Sequence, residues 1–366
     1  MGVGIHVFTY VINNDTLDEG NNMSKRKEKN KILFVYSSLP SFVRRDLEIL
    51  ERHFTVKKVK IRTFRVTRKG SEPLVFLRLL KGVLWADFVY TWFARWSAFF
   101  IVLFCMFLRK KCIIVVGGYD VVYIPEIDYG SLKSLLGSLK VKFILEHATK
   151  ILPFSNYANN RVLSVTKKAN ICVIPLGCDT EKFKPVHSKK ENLVVTVCHI
   201  TRNNVARKGL KTFIKSAMLL PNVKFALIGR YRDDSVYYLK KIAPPNVEFT
   251  GYVSDEELVK WYQRAKVYCQ LSYEEGFGVA LVEAMACECV PVASLKAKVL
   301  RETVGNCGFY VPYGNVKATV KAIKKASSSP QDMGVKARAR VENLFTIEKR
   351  EKRLLRAIND MIYTHK

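Results

Sequence analysis

The sequence predicts an α/β protein built as two parallel-sheet units that face each other across a cleft. Three observations predict it. Short apolar runs alternate with helix-like stretches along nearly the whole chain, the pattern of a parallel sheet covered on both faces. A polar stretch, CDTEKFKPVHSKKEN over 178–192, has no apolar period and interrupts the alternation, which then restarts. The length of 366 residues suits two units, each burying roughly 70% of its unfolded surface in a core of its own.

The strand-like runs of the first unit are KILFVYS (31–37), FTVKKVKI (54–61), DFVYTW (87–92), CIIVVGG (112–118), ILPFS (151–155) and ICVIP (171–175). Helical stretches lie between them, including 41–53 and 155–168, with Ser41 and Ser155 placed to cap them. The second unit offers strands at 193–198, 223–229, 247–252, 266–272, 290–294 and 308–312. The resulting division is an extension over 1–30, a first domain over 31–177, a linker over 178–192 and a second domain over 193–345. A terminal amphipathic helix over 346–366 is expected to pack back on the first domain. The run WSAFFIVLFCMFL, 96–108, has 13 residues, short of the ~20 a membrane-spanning helix needs. It reads as a buried or partly membrane-facing helix of the α/β layer.

The charge is strongly basic, +29, and attracts anions without naming them. It is spread over both halves, and its densest segment is 52–69, with eight Lys or Arg and no acid. That segment reads either as a solvated strand and loop or as a contact for phosphate or an anionic membrane. Nucleic-acid binding suits the charge, but no zinc spacing, helix-turn-helix or RNA-binding aromatic motif accompanies it. The nine cysteines are scattered, with one close pair, Cys287 and Cys289, so neither a zinc site nor a disulfide framework is expected.

The chemistry concentrates in EEGFGVALVEAMACECVPVAS, 274–294. A strand runs into a glycine-containing turn and then a helix whose one charge is Glu283. Gly276 and Gly278 let backbone approach a ligand, and free N–H groups at the helix start favour an anion. Glu275 precedes the helix, and Glu283 is expected about one turn in, facing the same mouth. Carboxylates accept hydrogen bonds from sugar hydroxyls. Donors plus two acids therefore describe a site for a molecule carrying both phosphate and hydroxyls. For Glu283 a buried ion pair with a neighbouring cation is the competing reading. The loop HITRNNVARKGLKTF, 199–213, adds Arg202, Arg207 and Lys208, cations suited to a diphosphate.

EEGFGVALVEAMA followed by VPVAS resembles the signature of family-four retaining glycosyltransferases, with two glutamates separated by seven residues at Glu275 and Glu283. IPLGCDTEKFKP (174–185), RKGLKTFIKSA and VEFTGYVSDEELVKWYQRAKVYCQLS extend the resemblance through most of 171–294, in order. The amino-terminal unit is similar in pattern only. The resemblance implies the GT-B architecture, two Rossmann-like domains facing across a cleft. It also implies a retaining transfer of a hexose-like sugar from a UDP- or GDP-linked donor to a glycan or lipid-linked acceptor, with no metal or other cofactor. In it Glu283 binds the donor ribose, and Glu275 contacts the transferred sugar. Backbone at Gly276, Phe277 and Gly278 meets sugar and phosphate, Lys208 and Arg202 hold the diphosphate, and backbone near Val253 reads the base.

Where many members carry a histidine before Gly-x-Asp, this chain has Gly117, in VVGGYD. The early glycine pair is replaced by SSLPSFVRRD, and Glu288 stands where glycine is frequent. Ser38, Ser41, Arg44, Asp120 and Glu126 become the candidates for the acceptor side. The overall expectation is a cytoplasmic enzyme, peripheral on the inner face of a membrane, with no nucleic-acid partner. A noncatalytic sugar-nucleotide sensor, a relative that breaks or epimerises a nucleotide sugar, and a nucleic-acid-binding protein are the alternatives.

Overall fold

The structure is a computed structural model, which describes residues 29–61, 72–167, 170–186 and 188–363. Most of the 1–30 extension and the 62–69 portion of the basic run lie outside the described residues.

The first sheet is formed by β1 (Lys31–Tyr36), β2 (Thr55–Lys60), β3 (Phe88–Trp92), β4 (Lys111–Val116) and β5 (Lys150–Pro153). Helices α1 (Ser41–His53), α2 (Glu72–Trp85), α3 (Trp96–Phe107) and α4 (Leu135–His147) connect them, and α5 (Asn156–Val165) follows β5. The sheet order is β2-β1-β3-β4-β5, and every pairing is parallel. Both faces of β1 are buried, because successive side chains alternate between two helical layers. Ile32 and Phe34 join one apolar cluster, and Leu33 and Val35 the other.

The second sheet contains β6 (Glu191–Val197), β7 (Lys224–Ile228), β8 (Val247–Gly251), β9 (Ala265–Gln270), β10 (Val290–Ser294) and β11 (Phe309–Val311). Between β6 and β7 lie α6 (Arg202–Arg207) and α7 (Leu210–Met218). Then come α8 (Ser235–Lys241), α9 (Asp255–Arg264), α10 (Val279–Ala286), α11 (Val299–Val304), α12 (Val316–Ser328), α13 (Gln331–Leu344) and α14 (Ile347–Tyr363). The order β11-β10-β9-β6-β7-β8 is the doubly wound Rossmann order, and the first sheet has the related five-stranded order. In each, the strand order reverses beside the first strand. Ligands of open α/β sheets bind at the carboxyl ends of strands at that point.

Two local expectations are corrected. Residues 171–175 do not form a strand. Cys172 and Ile174 donate to the carbonyls of Ile151 and Pro153 at 3.0 and 2.9 Å, but Pro153 has no N–H to return a bond, and only an isolated bridge between Ile151 and Ile171 results. Ser41 does not cap α1. Pro40 occupies the cap position, without a side-chain bond, and its carbonyl accepts from Val43 and Arg44 at 3.0 Å. Ser155 does cap α5, accepting from the Ala158 N–H at 3.0 Å. The described residues of 178–190 form no helix or strand but are anchored. Phe183 is buried, and Asp179 accepts from the Lys182 N–H at 2.9 Å. Helix α14 returns to the first sheet, where Arg350 meets Asp46 of α1 in a buried ion pair.

Candidate active site

A cavity of about 870 Å³ opens between the two sheets. The segments after β1, β3 and β4 line one side, and those after β6, β7 and β9 the other. Both strand-order reversals therefore face the same space. Six cationic residues line it (Arg44, Arg95, Arg207, Lys208, Arg230 and Arg232) against three acidic ones, Asp120, Asp255 and Glu275. The balance favours an anionic ligand.

Glycine builds the second unit's wall. Gly209 has φ +64°, and a Cβ there would sit 2.3 Å from the Leu271 carbonyl oxygen. Its absence lets the loop lie on the end of β9 and brings Lys208 onto Glu275 in a partly buried ion pair. Gln270 and Ser272 donate to the same carboxylate oxygen of Glu275 at 3.0 and 3.3 Å. Burial opposes the charge of Glu275, but Lys208, Arg207 and the Ser272 bond hold its carboxyl below the usual range. Gly278, at φ +91°, starts α10. A Cβ on Gly118 of the first unit would lie 3.2 Å from the Gly276 Cα. The two units thus touch through a pair of glycines, and the cleft is closed at that point.

Glu283 does not face the mouth it was expected to share with Glu275. It is buried and absent from the cavity wall. Its Oε1 accepts from Arg45 of α1 at 3.4 Å, while Arg45 also donates to the Gly177 carbonyl at 2.7 Å. Burial raises its carboxyl to about 7, against the opposing charge and hydrogen bond of Arg45. The ion pair weighed as the competing reading is present, and its partner comes from the other unit.

Arg202 is a second correction. It is exposed and outside the cavity wall, and its backbone N–H donates to Asp233 at 2.8 Å. Thr201 caps a helix here, accepting from the Asn204 N–H at 3.1 Å. At ~100° per residue, Arg202 points away from the face carrying Asn204, Arg207 and Lys208. Arg207 takes the inward place. Its guanidinium donates to Asn204 Oδ1 at 2.8 and 3.1 Å and lies 5.2 Å from the Tyr129 ring centroid.

Val253, Gly276, Phe277 and Gly278 line the cavity, as do Ser41, Arg44 and Asp120. Ser38 and Glu126 do not. Both are exposed, Ser38 ahead of the inward-turning Leu39 and Pro40 and Glu126 in a short 3₁₀ turn over Pro125–Ile127. At Gly117 a Cβ would meet Phe154 at 3.0 Å and Phe93 at 3.2 Å, so aromatic rings fill the space a histidine would enter. Asp120 is buried and accepts from the Gly117 N–H at 2.9 Å. Its other oxygen has no hydrogen-bond partner among the described residues. Burial raises its carboxyl to about 6. Glu288 adopts φ +62°, the left-handed turn that glycine ordinarily supplies at a helix end.

Several lining residues escaped the sequence reading. Arg230, Arg232 and Tyr252 follow β7 and β8, and Arg230 stacks on the Tyr252 ring at 3.9 Å. The signal was available in Gly229-Arg-Tyr-Arg at a strand's carboxyl end. His199 also lines the cavity, and burial with Arg232 and Arg230 lowers its pKa. Glu274 is buried against Tyr157 of α5, whose hydroxyl donates to it at 3.1 Å, and burial raises its carboxyl to about 7. No group of three or more His, Cys, Asp or Glu among the described residues is placed to hold a metal ion.

Two facing parallel sheets with this site between them define a protein of the GT-B fold. Residues 178–343, most of the carboxy-terminal unit, match the family model of glycosyl transferases group 1. The capsular polysaccharide biosynthesis glycosyltransferase CapM of Staphylococcus aureus is 29% identical over 234 residues, 57% of this chain and 60% of that protein. The N,N'-diacetylbacillosaminyl-diphospho-undecaprenol alpha-1,3-N-acetylgalactosaminyltransferase of Campylobacter jejuni is 31% identical over 161 residues, 40% of this chain and 42% of that protein. The chain thus spans about half the length of these relatives. Anabaena HepE, solved with UDP and glucose, superposes at a TM-score of 0.75 with 16% identity, over 90% of this chain and 100% of that one. Sucrose-phosphate synthase from Thermosynechococcus elongatus gives 0.74 at 18% identity, over 92% and 100%.

Proposed function

We propose that the protein transfers a hexose-like sugar from a UDP- or GDP-linked donor to a hydroxyl of a glycan or lipid-linked acceptor, with retained anomeric configuration. The observation that carries this reading is the Lys208–Glu275 pair beside the start of α10, in a cavity richer in cations than in acids and walled by both units. An arriving diphosphate offers Lys208 a second anion, so Glu275 becomes free to accept hydrogen bonds from the sugar. Arg207 takes the diphosphate role first given to Arg202. With the acceptor on the leaving-group side, the departing diphosphate takes the acceptor proton, and no protein nucleophile is used. Side-chain cations and the backbone N–H groups of Gly276 and Gly278 neutralise the charge that develops, without a metal. Preorganised donors of this kind act on the transition state, where loss of one typically costs ~100- to 1,000-fold in rate.

The relatives support a glycan or lipid-linked acceptor. Two are named for capsular polysaccharide and a diphospho-undecaprenol sugar, and a third, from Streptococcus pneumoniae, is an alpha-galactosylglucosyldiacylglycerol synthase, 27% identical over 184 residues. The test is a panel of UDP- and GDP-sugars incubated with and without a membrane lipid extract, read by product analysis and the anomeric NMR signal. A new α-glycoside from an α-linked donor is expected. Binding without turnover on any acceptor makes the protein a sensor, free sugar alone makes it a hydrolase, and no calorimetric affinity for any such nucleotide overturns the reading.

A further inference from the structure

The outer face of the first unit is unusual for a helical layer, because its exposed stripes are leucine-rich. On α2 the outward positions 74, 77, 78, 81 and 84 read Leu, Leu, Arg, Lys and Leu, one helical stripe at spacings of three and four. Leu74 is 60% exposed. On α4, Leu135 is 77% and Leu136 62% exposed, and Leu139 continues the stripe. Helix α3 lies between the two. Phe76 of α2 packs edge-on against Phe100 at 4.6 Å, and Phe143 of α4 packs on Phe99 at 5.0 Å. The apolar 96–108 run is therefore mostly spent inside this layer, with Ala98, Ile101, Val102 and Cys105 buried. The flanking leucines, with Trp96, Met106 and Phe107 from the two ends of the run, are what the layer shows to its surroundings.

Three features name the occupant. First, the stripe on α2 interleaves its leucines with Arg78 and Lys81, and on the adjoining edge strand β2 the exposed Lys57 lies over the Trp85 ring of α2. A docking protein would need a matching acidic rim around an apolar centre, whereas an anionic bilayer offers both layers at once. Second, Trp96 is partly exposed at the start of α3, with Lys140 Nζ 5.3 Å from its ring centroid, an amphipathic pair of the kind that settles at a headgroup boundary. Third, the face is continuous with the cavity. Arg95, next to Trp96, lines the cavity, and so do Tyr119, Asp120 and Tyr129 of the loop leading into α4. In a parallel α/β layer the starts of these helices lie at the carboxyl ends of the strands, where the cavity opens.

We infer that the α2–α4 face docks on an anionic lipid surface, with Leu74, Leu77, Leu135, Leu136 and Leu139 entering the interface and Arg78 and Lys81 meeting the headgroups. No described helix is long and apolar enough to cross a membrane, so the attachment is of the kind that lies on the surface. Docking in this way sets the acceptor side of the cavity against the bilayer. The inference does not depend on the sugar-transfer reading, since vesicle binding and nucleotide affinity are separate measurements.

The test uses the full chain and sedimenting vesicles of phosphatidylglycerol and phosphatidylcholine (1:1), compared with phosphatidylcholine alone, at low salt. Binding is expected on the anionic vesicles and at least tenfold less on the neutral ones. The variant Leu135→Ser/Leu136→Ser/Leu139→Ser is expected to lose about 100-fold in partitioning, with its thermal midpoint unchanged because the three side chains are exposed. Should that variant fold poorly, Arg78→Gln/Lys81→Gln provides the second reading, with a loss of about 30-fold. The inference is overturned by no binding of the parent chain, by equal binding to neutral vesicles, or by variants that bind as well as the parent. It is also overturned if light scattering finds a dimer that the leucine variant breaks while vesicles are ignored, which would assign the face to a second copy.

Discussion

Arg45 and Glu283 join the two units of the protein through one guanidinium, which donates to the Glu283 carboxylate at 3.4 Å and to the Gly177 carbonyl at 2.7 Å. Helix α1 of the first unit is thereby tied to α10 of the second and to the strand-free passage between the sheets. Glu283 has no second ion-pair partner among the described residues. Arg45→Met is expected to destabilise the fold by about 3 kcal/mol, since it leaves a buried acid without its counter-charge. Urea unfolding at pH 7.5 measures it. In Glu283→Gln the same Arg45 substitution should cost much less, and equal losses in both backgrounds would show that the pair is not coupled.

The buried acids give stability a definite pH dependence. Glu274 and Glu283 are each raised to about 7 by burial, above the ~4.3 of a free glutamate. A raised acid is favoured in its protonated form when folded. Its contribution is therefore complete below about pH 4 and lost as pH rises through about 7. The acids held low, such as Glu275, exert their effect below that window. Unfolding free energy should thus fall between pH 5 and 7.5. Glu274→Gln keeps an acceptor for the Tyr157 hydroxyl and should flatten part of that slope. An unchanged slope in this variant would remove Glu274 from the account.

At the cavity, Lys208→Ala and Arg207→Ala are each expected to lower kcat by ~100- to 1,000-fold, whereas Arg202→Ala should change it less than about threefold. The contrast follows from the helical turn over Arg202–Arg207, which presents Arg207 inward and Arg202 to solvent. Steady-state turnover on the best donor found in the screen decides it. If Arg202→Ala is the crippled variant, donor binding must rearrange this helix.

Gly209→Ala probes the same wall through the backbone. A methyl there would collide with the Leu271 carbonyl at 2.3 Å while φ is +64°. The loop must move, and Lys208 with it. A loss of activity comparable to that of Lys208→Ala is expected, with stability lowered by about 1–3 kcal/mol. Full activity in a folded variant would show that the loop has slack.

The pattern of the sheets was readable because strands buried on both faces are continuous apolar runs, as in Ile32 to Val35. The Glu275–Gly276–Gly278 turn was readable for a different reason. Its glycines are demanded by close backbone approach, which leaves a mark in the sequence. What could not be read was which side of an element a charge takes. Arg202 was placed by spacing alone, and Thr201 started a helix that turned it outward. The pairing of Glu283 with Arg45 joins residues 238 apart in the chain, and no local pattern records it. The Phe93 and Phe154 rings that fill the space beside Gly117 are likewise set by packing between distant strands.

The terminal helix supplies the last prediction. Asp46 is fully buried and Arg350 only 3% exposed. Arg350 donates to the two carboxylate oxygens of Asp46 at 2.6 and 2.7 Å, and Tyr90 donates to the second at 2.6 Å. Asp46→Asn should destabilise by about 3–5 kcal/mol, because the guanidinium stays buried without its counter-charge. Replacing both partners, as Asp46→Leu/Arg350→Met, removes the stranded charge and should recover part of that loss. Recovery should stop short of complete. Arg350 also donates to the carbonyls of Ile174 and Pro175 at 2.9 Å each, and unpaired buried acceptors cost about 1–3 kcal/mol. Urea midpoints of the parent and the two variants test the ordering. A double variant as stable as the parent would mean that water or a shifted chain takes over those two carbonyls, and that the arginine holds α14 in place by its charge alone.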